Sequence, residues 1–140
     1  FRLNDSHERL SVHWAGKGSD VLICLARDRQ QNAVSTSSVF ISYDYGKTFV
    51  EKQAENMKIS DSQPSIISMF YISPVLNNHY IFTDVIHNYI FTTRDFGMSF
   101  EKHSVPFAPD IIAMHPTNWQ IILGMDKNDP LKKVNINVFF

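Results

Sequence analysis

Cysteine occurs once in this chain of 140 residues, glycine five times and proline six times. A single cysteine can form no internal disulfide, so cysteine usage carries no information about redox compartment. Cys24 lies in an apolar run at 21–26 with neither a cation nor a histidine beside it. It reads as a small buried hydrophobe rather than a nucleophile. The scarcity of glycine and proline excludes a collagenous or low-complexity chain. An excess of one charge is also missing, since 13 Lys and Arg stand against 14 Asp and Glu for a net charge of −1. No basic stripe suited to phosphate arises, which argues against nucleic acid as a partner. Long apolar runs are absent too. The longest, at 66–72, is interrupted by Ser68 and falls far short of the roughly 20 residues of a membrane-spanning helix. The chain opens at Phe1 without an apolar leader, so a membrane anchor is expected only outside these residues.

What the sequence does contain is a core. Its 44% hydrophobic and 13% aromatic content exclude a disordered chain. The six histidines, at 7, 13, 79, 87, 103 and 115, show no short metal-ligand spacing, so neither a metal nor a cofactor is expected.

A repeat organises the chain. The segment Ser42-Tyr43-Asp44-Tyr45-Gly46-Lys47-Thr48-Phe49 matches Thr93-Arg94-Asp95-Phe96-Gly97-Met98-Ser99-Phe100, with Asp44 and Asp95 51 positions apart. Around these motifs, β-rich runs alternate with Pro/Asn turns. First strands are expected near 10–14, 65–71 and 110–115, and second strands near 21–26, 80–82 and 121–123. Third strands are expected near 38–42, 88–93 and 132–139, and fourth strands near 49–52 and 100–103. The polar stretches 27–37 and 53–64 read as loops, and no long helix is expected. Four strands in about 50 residues is the size of a propeller blade. The fold class is therefore all-β: a β-propeller fragment of about two and a half four-stranded blades, roughly 10–52, 65–103 and an incomplete 110–140.

The chemistry of the repeated motif points to structure rather than catalysis. A carboxylate in a tight turn accepts backbone N–H groups that the turn leaves unpaired. Gly46 and Gly97 suit positions of positive φ, and Phe49 and Phe100 offer rings to pack against the sheets. Ser42, Asp44, Gly46, Phe49, Thr93, Asp95, Gly97 and Phe100 are thus expected to form two structural clips on the outer connection between third and fourth strands. No catalytic residue is expected.

The motif resembles the Asp-box of sialidases, sortilins and related propellers. Two further stretches sharpen the likeness: Arg2-Leu3-Asn4-Asp5-Ser6-His7 with Ser11-Val12-His13-Trp14-Ala15-Gly16, and Leu25-Ala26-Arg27-Asp28 leading into Ser42-Tyr43-Asp44-Tyr45-Gly46-Lys47. Together they resemble the N-terminal blades of the sortilin-type (vacuolar protein sorting ten) receptors, in the branch that also carries LDL-receptor repeats. The resemblance implies the N-terminal part of a ten-bladed luminal propeller with a wide tunnel. It also implies a type I membrane receptor that binds peptide or protein ligands, including propeptides and neuropeptides, and traffics them among Golgi, endosomes and cell surface without catalysis. The chain departs from the pattern after Lys133, where Val134-Asn135-Ile136-Asn137-Val138-Phe139-Phe140 carries no third Asp-x-Gly.

Three further signals stand in the sequence. Asn4-Asp5-Ser6 is a glycosylation sequon. His13 and His115, at the ends of expected first strands, are candidates for tunnel-side, pH-sensitive positions. Phe1-Arg2-Leu3 faintly resembles the Phe-Arg-Ile-Pro segment of sialidases, but lacks the proline. Arg2, Arg9, Arg27, Arg29 and Arg94 show no arginine cluster in sequence, and no Tyr/Glu pair accompanies them. The alternatives to a receptor are therefore a sialidase-like glycosidase or a propeller that serves only as a scaffold.

Overall fold

Tyr80, Ile81, Phe82, Thr83 and Asp84 form one strand in which every side chain is buried. Alternate side chains of a strand point to opposite faces, so this strand is covered on both. The computed structural model describes residues 5–15, 18–30 and 33–136, and its sheets explain that burial.

The first sheet runs β1 (Arg9–Trp14), β2 (Leu22–Gln30), β3 (Ala33–Ser42) and β4 (Val50–Glu51), with each strand antiparallel to the next. A one-turn helix α1 (Gln53–Asn56) and a small ribbon, β5 (Lys58–Ser60) with β6 (Gln63–Pro64), lead to the second sheet. That sheet comprises β7 (Met69–Ile72), β8 (Tyr80–Asp84), β9 (Tyr89–Thr93) and β10 (Glu101–Ser104) in the same antiparallel order. The third sheet holds β11 (Ile111–Met114), β12 (Ile122–Asp126) and β13 (Asp129–Asn135). β1, β7 and β11 are each an edge strand of their sheet.

Side-chain alternation stacks the sheets. Ile23, Leu25, Val39 and Ile41 of the first sheet pack in one cluster with Phe70, Tyr80, Phe82 and Phe91 of the second. The intervening residues Ile81 and Ile90 turn the other way and pack with Ile122 and Ile136 of the third. Each sheet also starts alike. Ala15, Ser73 and His115, one residue past the first strand, donate their N–H to the carbonyls of Val21, His79 and Ile121 at 2.8, 2.9 and 3.0 Å. This repeated, face-to-face stacking of antiparallel sheets is that of consecutive propeller blades.

The strand expectations hold in order, with corrections in extent. Residues 27–30 and 33–37 are not loop, because β2 and β3 pair through them with a bulge between Asp28 and Arg29. These residues are polar because the paired strands extend beyond the stacked faces, while cross-strand bonds satisfy their backbone. The corresponding turn of the second sheet is short because Asp84 closes it. Its Oδ1 accepts the N–H groups of Ile86 and His87 at 3.0 and 2.9 Å, whereas the first sheet has Ala26 at that step. The stretch 53–64 holds α1 and the β5–β6 ribbon. β7 starts at Met69 rather than Ser65, because Ile66 and Ile67 give their N–H groups to Asp84 Oδ2 and Ser37 Oγ instead of to a ladder. The third strand of the last sheet is Asp129–Asn135, and 137–140 lie outside the described residues.

The outermost sheets carry exposed apolar side chains along their first strands and on the third sheet's outer face. Leu10, Val12 and Trp14 on the first sheet are 48–54% exposed, and Ile111 and Leu123 on the third are 41% and 38% exposed. Contiguous apolar patches above a few hundred Å² drive association. The 140-residue chain expressed alone is therefore expected to self-associate at micromolar concentration by light scattering, and Val12→Lys with Trp14→Lys is expected to reduce that association. A monodisperse wild-type monomer with a cooperative melt would contradict the open-ended propeller reading.

Candidate functional site: the Asp turns and the first-strand groove

Both Asp motifs sit between the third and fourth strands of their sheets, and their bonding matches atom for atom. Ser42 Oγ donates to Asp44 Oδ1 at 2.8 Å and accepts the Gly46 N–H at 2.8 Å. Thr48 donates its N–H to Asp44 Oδ1 at 2.9 Å and its hydroxyl to Oδ2 at 2.6 Å. In the second turn, Thr93 Oγ1 donates to Asp95 Oδ1 at 2.6 Å and accepts the Gly97 N–H at 3.0 Å. Ser99 gives its N–H and hydroxyl to Asp95 at 2.9 and 2.5 Å. Gly46 and Gly97 have φ of 85° and 82°, and the aromatic residues before them, Tyr45 and Phe96, are also left-handed at 58° and 61°. The N–H groups of Tyr45 and Phe96 reach Asp20 and Asn78 carbonyls at 3.0 and 3.3 Å, tying each Asp turn to the first turn of its own sheet.

The hydroxyl is the buried centre of each turn, since Ser42 and Thr93 are 0% and 3% exposed. The carboxylates lie nearer solvent. The Thr48 hydroxyl, then the Thr48 N–H and the Ser42 hydroxyl, hold Asp44 down at a pKa of about 2. Burial pushes the Asp95 carboxyl up, but the bonds from Ser99 and Thr93 outweigh it and leave it below the ordinary range.

The second turn also joins two sheets. The Tyr43 hydroxyl donates to the Phe96 carbonyl at 3.0 Å, and burial, followed by the nearby Asp95 charge, pushes that phenol up to about 12. A β-carbon at Gly97 would collide with Ile41 Cδ1 of the first sheet, whereas one at Gly46 would meet Leu22 and Phe49 at ordinary contact distance. Phe100 packs edge-on against Phe82 with ring centroids 5.6 Å apart, and Phe49 lies beside Gly46.

A groove of about 430 Å³ crosses the three edge strands, lined chiefly by Ser11 and His13 of β1, Phe70 and Tyr71 of β7, and Ile112 and Met114 of β11. His13 stands edge-on to Phe70, with ring centroids 5.3 Å apart. His115 does not join it there. Its Nδ1 accepts the N–H groups of Thr117 and Asn118 at 3.2 and 3.1 Å, closing an exposed turn. Asn4 lies outside the described residues. The groove residues of β7 and β11 were not singled out by the sequence, although aligning the first strand of each repeat would have placed them side by side. Among the described residues, no group of histidine, cysteine and carboxylate side chains could hold a metal ion.

Replacing Thr93 by valine keeps the shape and deletes the acceptor of the buried Gly97 N–H. In the complete propeller this is expected to cost about 1–3 kcal/mol, the penalty of an unsatisfied buried donor, read from denaturant melts. Gly97→Ala is expected to destabilise more than Gly46→Ala, because positive φ strains both and only Gly97 meets Ile41. A depressed carboxylate contributes its stability above its unfolded pKa, near 4, and loses it as pH falls through the folded value. For Asp44 that folded value is about 2. Wild type and Asp44→Asn should therefore keep a constant difference in melting temperature from about pH 7 to about pH 5, and converge only below about pH 4.

The family model Sortilin-Vps10, described as sortilin, neurotensin receptor 3, matches residues 37–137. The chain is 39% identical over 134 residues to the sortilin-related receptor of Mus musculus and 38% identical to that of Homo sapiens, covering 94% of this chain in each case. It is 24% identical over 132 residues, 90% of its length, to the human VPS10 domain-containing receptor SorCS2, of which it covers 11%. It spans only 6% of the length of the sortilin-related receptors. With matched Asp turns on stacked antiparallel sheets and a family model that covers most of its length, the chain belongs to the Sortilin-Vps10 family.

Proposed function

We propose that this chain is the N-terminal part of the ligand-binding propeller of a sorting receptor, and that peptide or protein ligands bind across its first strands. The blades run roughly over 10–52, 65–103 and 110–140, within a larger, ten-bladed ring whose remaining blades lie beyond this sequence. The ring faces the lumen of the secretory and endosomal pathway, and any membrane span belongs to other parts of the receptor. The two Asp turns act as structural clips, and the chain has no catalytic role.

The observation that carries this reading is the first-strand groove. Three separate sheets contribute to it, so its shape depends on their stacking and not on any single loop. Its wall of Phe70, Tyr71, Ile112 and Met114 is aromatic and aliphatic, with Ser11 and His13 as polar points. An apolar cleft with few polar groups is the usual form of a binding site. The Asp turns, by contrast, hold their carboxylates fully engaged within the turn.

Met69 lines the groove and is 44% exposed, so Met69→Asp is expected to leave the fold intact. In the complete propeller this change should weaken binding of labelled apolar peptides at least tenfold by fluorescence anisotropy. If the complete propeller binds no peptide, the scaffold alternative replaces the receptor reading.

A further inference from the structure

Both stacks in this chain join unlike faces of their sheets. Ala15, Ser73 and His115 hold the same place, each bonded to the residue just before or at the start of the second strand, so the sheets can be matched from them. Two places back stand His13, Tyr71 and Ala113, and three places back Val12, Phe70 and Ile112. His13 of the first sheet meets Phe70 of the second, with ring centroids 5.3 Å apart. One step on, Tyr71 of the second sheet and Ile112 of the third pack on the same apolar cluster. The second strands repeat the relation. Ile23, Ile81 and Leu123 correspond, as do Leu22, Tyr80 and Ile122. Ile23 packs in one cluster with Tyr80, and Ile81 in the other with Ile122.

This relation leaves two faces over. Val12 and Leu22 have no sheet before them, and Ala113 and Leu123 have none after them, among the described residues. Leu10 and Trp14 share the side of β1 that carries Val12, and both are about half exposed. Leu123 pairs with Ala113 in the register, and Ile111 shares their side. The two faces are therefore the two halves of the contact already made twice within the chain.

We propose that the outer face of the third sheet docks on the outer face of the first sheet of a second copy, head to tail. Docking sets Ala113 against Val12 and Leu123 against Leu22, with Trp14 in the place that Ile72 holds in the second sheet. The inference rests on the stacking alone and is independent of the peptide-binding reading. An interface between two different faces leaves one of each free at the ends, so copies add in a row unless the row closes into a ring. The third strand of the last sheet moderates the contact. Lys133 and Asn135 pair with Met125 and Leu123, where the first sheet pairs Val39 and Ile41 with Leu25 and Ile23. Apolar contact is thus confined to the first and second strands, which suits reversible association.

The test uses the 140-residue chain and two variants, Val12→Lys with Trp14→Lys and Ile111→Lys with Leu123→Lys. A lysine pressed on an apolar face loses hydration without gaining a partner, so each variant has one face blocked and one intact. Each alone should sediment as a monomer at concentrations where the wild type associates. Their equal mixture should form a dimer and nothing larger, because the intact third sheet of one meets the intact first sheet of the other. Association of either variant alone would show docking of like faces and overturn the proposal. So would a mixture that stays monomeric while both variants melt cooperatively. Cysteine pairing gives a second readout without added charge, since the native Cys24 is buried. Under mild oxidation by dissolved oxygen, Val12→Cys mixed with Ala113→Cys should form disulfide-linked dimers about tenfold faster than either variant alone, through proximity. Equal rates in all three samples, or a wild-type chain that stays monomeric, would remove the head-to-tail interface.

Discussion

A β-sheet with apolar side chains on both faces has to be covered twice, and that requirement governs this structure. The second sheet meets it, with Tyr80, Phe82 and Phe91 against the first sheet and Ile81 and Ile90 against the third. Stacking sheets face to face leaves their first strands as a row of edges, and a row of edges makes a groove whose walls come from different repeats. The turns between third and fourth strands lie away from that row, and Tyr43, Phe96 and Phe100 pack them against the core. Within each turn the chain is closed by side-chain hydrogen bonds, with a buried hydroxyl at the centre and a carboxylate outside it.

The parts of this arrangement that were legible in the sequence are the local ones. An Asp turn is written within eight residues, because the carboxylate, the hydroxyls and the glycine N–H bond to partners within four positions. The order of strands was legible because alternation and turn residues are also short-range signals. The hairpin at 27–37 was not, because a solvated pair of strands has no apolar alternation, and its length depends on Ala26 standing where the second sheet has Asp84. The linker at 53–64 hid a buried polar junction. There the Gln53 amide accepts from the Ser37 hydroxyl at 2.9 Å and donates to the Ser65 carbonyl at 2.8 Å, which polarity alone reads as loop.

The groove and the pairing of Arg9 with Arg27 were hidden for a different reason. Arg9 and Arg27 meet through strand register, and Arg27 meets Ser68 across 41 positions. Register is fixed by the packing of whole faces, so it has no signature in any short window. Gly97 shows the same limit: its positive φ is visible from the turn motif, but its need to make room for Ile41 belongs to the neighbouring sheet.

The bond from the Tyr43 hydroxyl to the Phe96 carbonyl has a geometric consequence. It fixes the spacing of the first two sheets at their outer turns, while the contact of His13 with Phe70 fixes it at their first strands. Two separations at two radii define a wedge angle. A closed ring of such wedges has to divide the full circle into equal steps, so the wedge angle determines how many blades complete the circuit and how wide the central opening is. In a closed ring, Tyr43 and His13 would then sit where a change of side-chain size acts on the wedge angle.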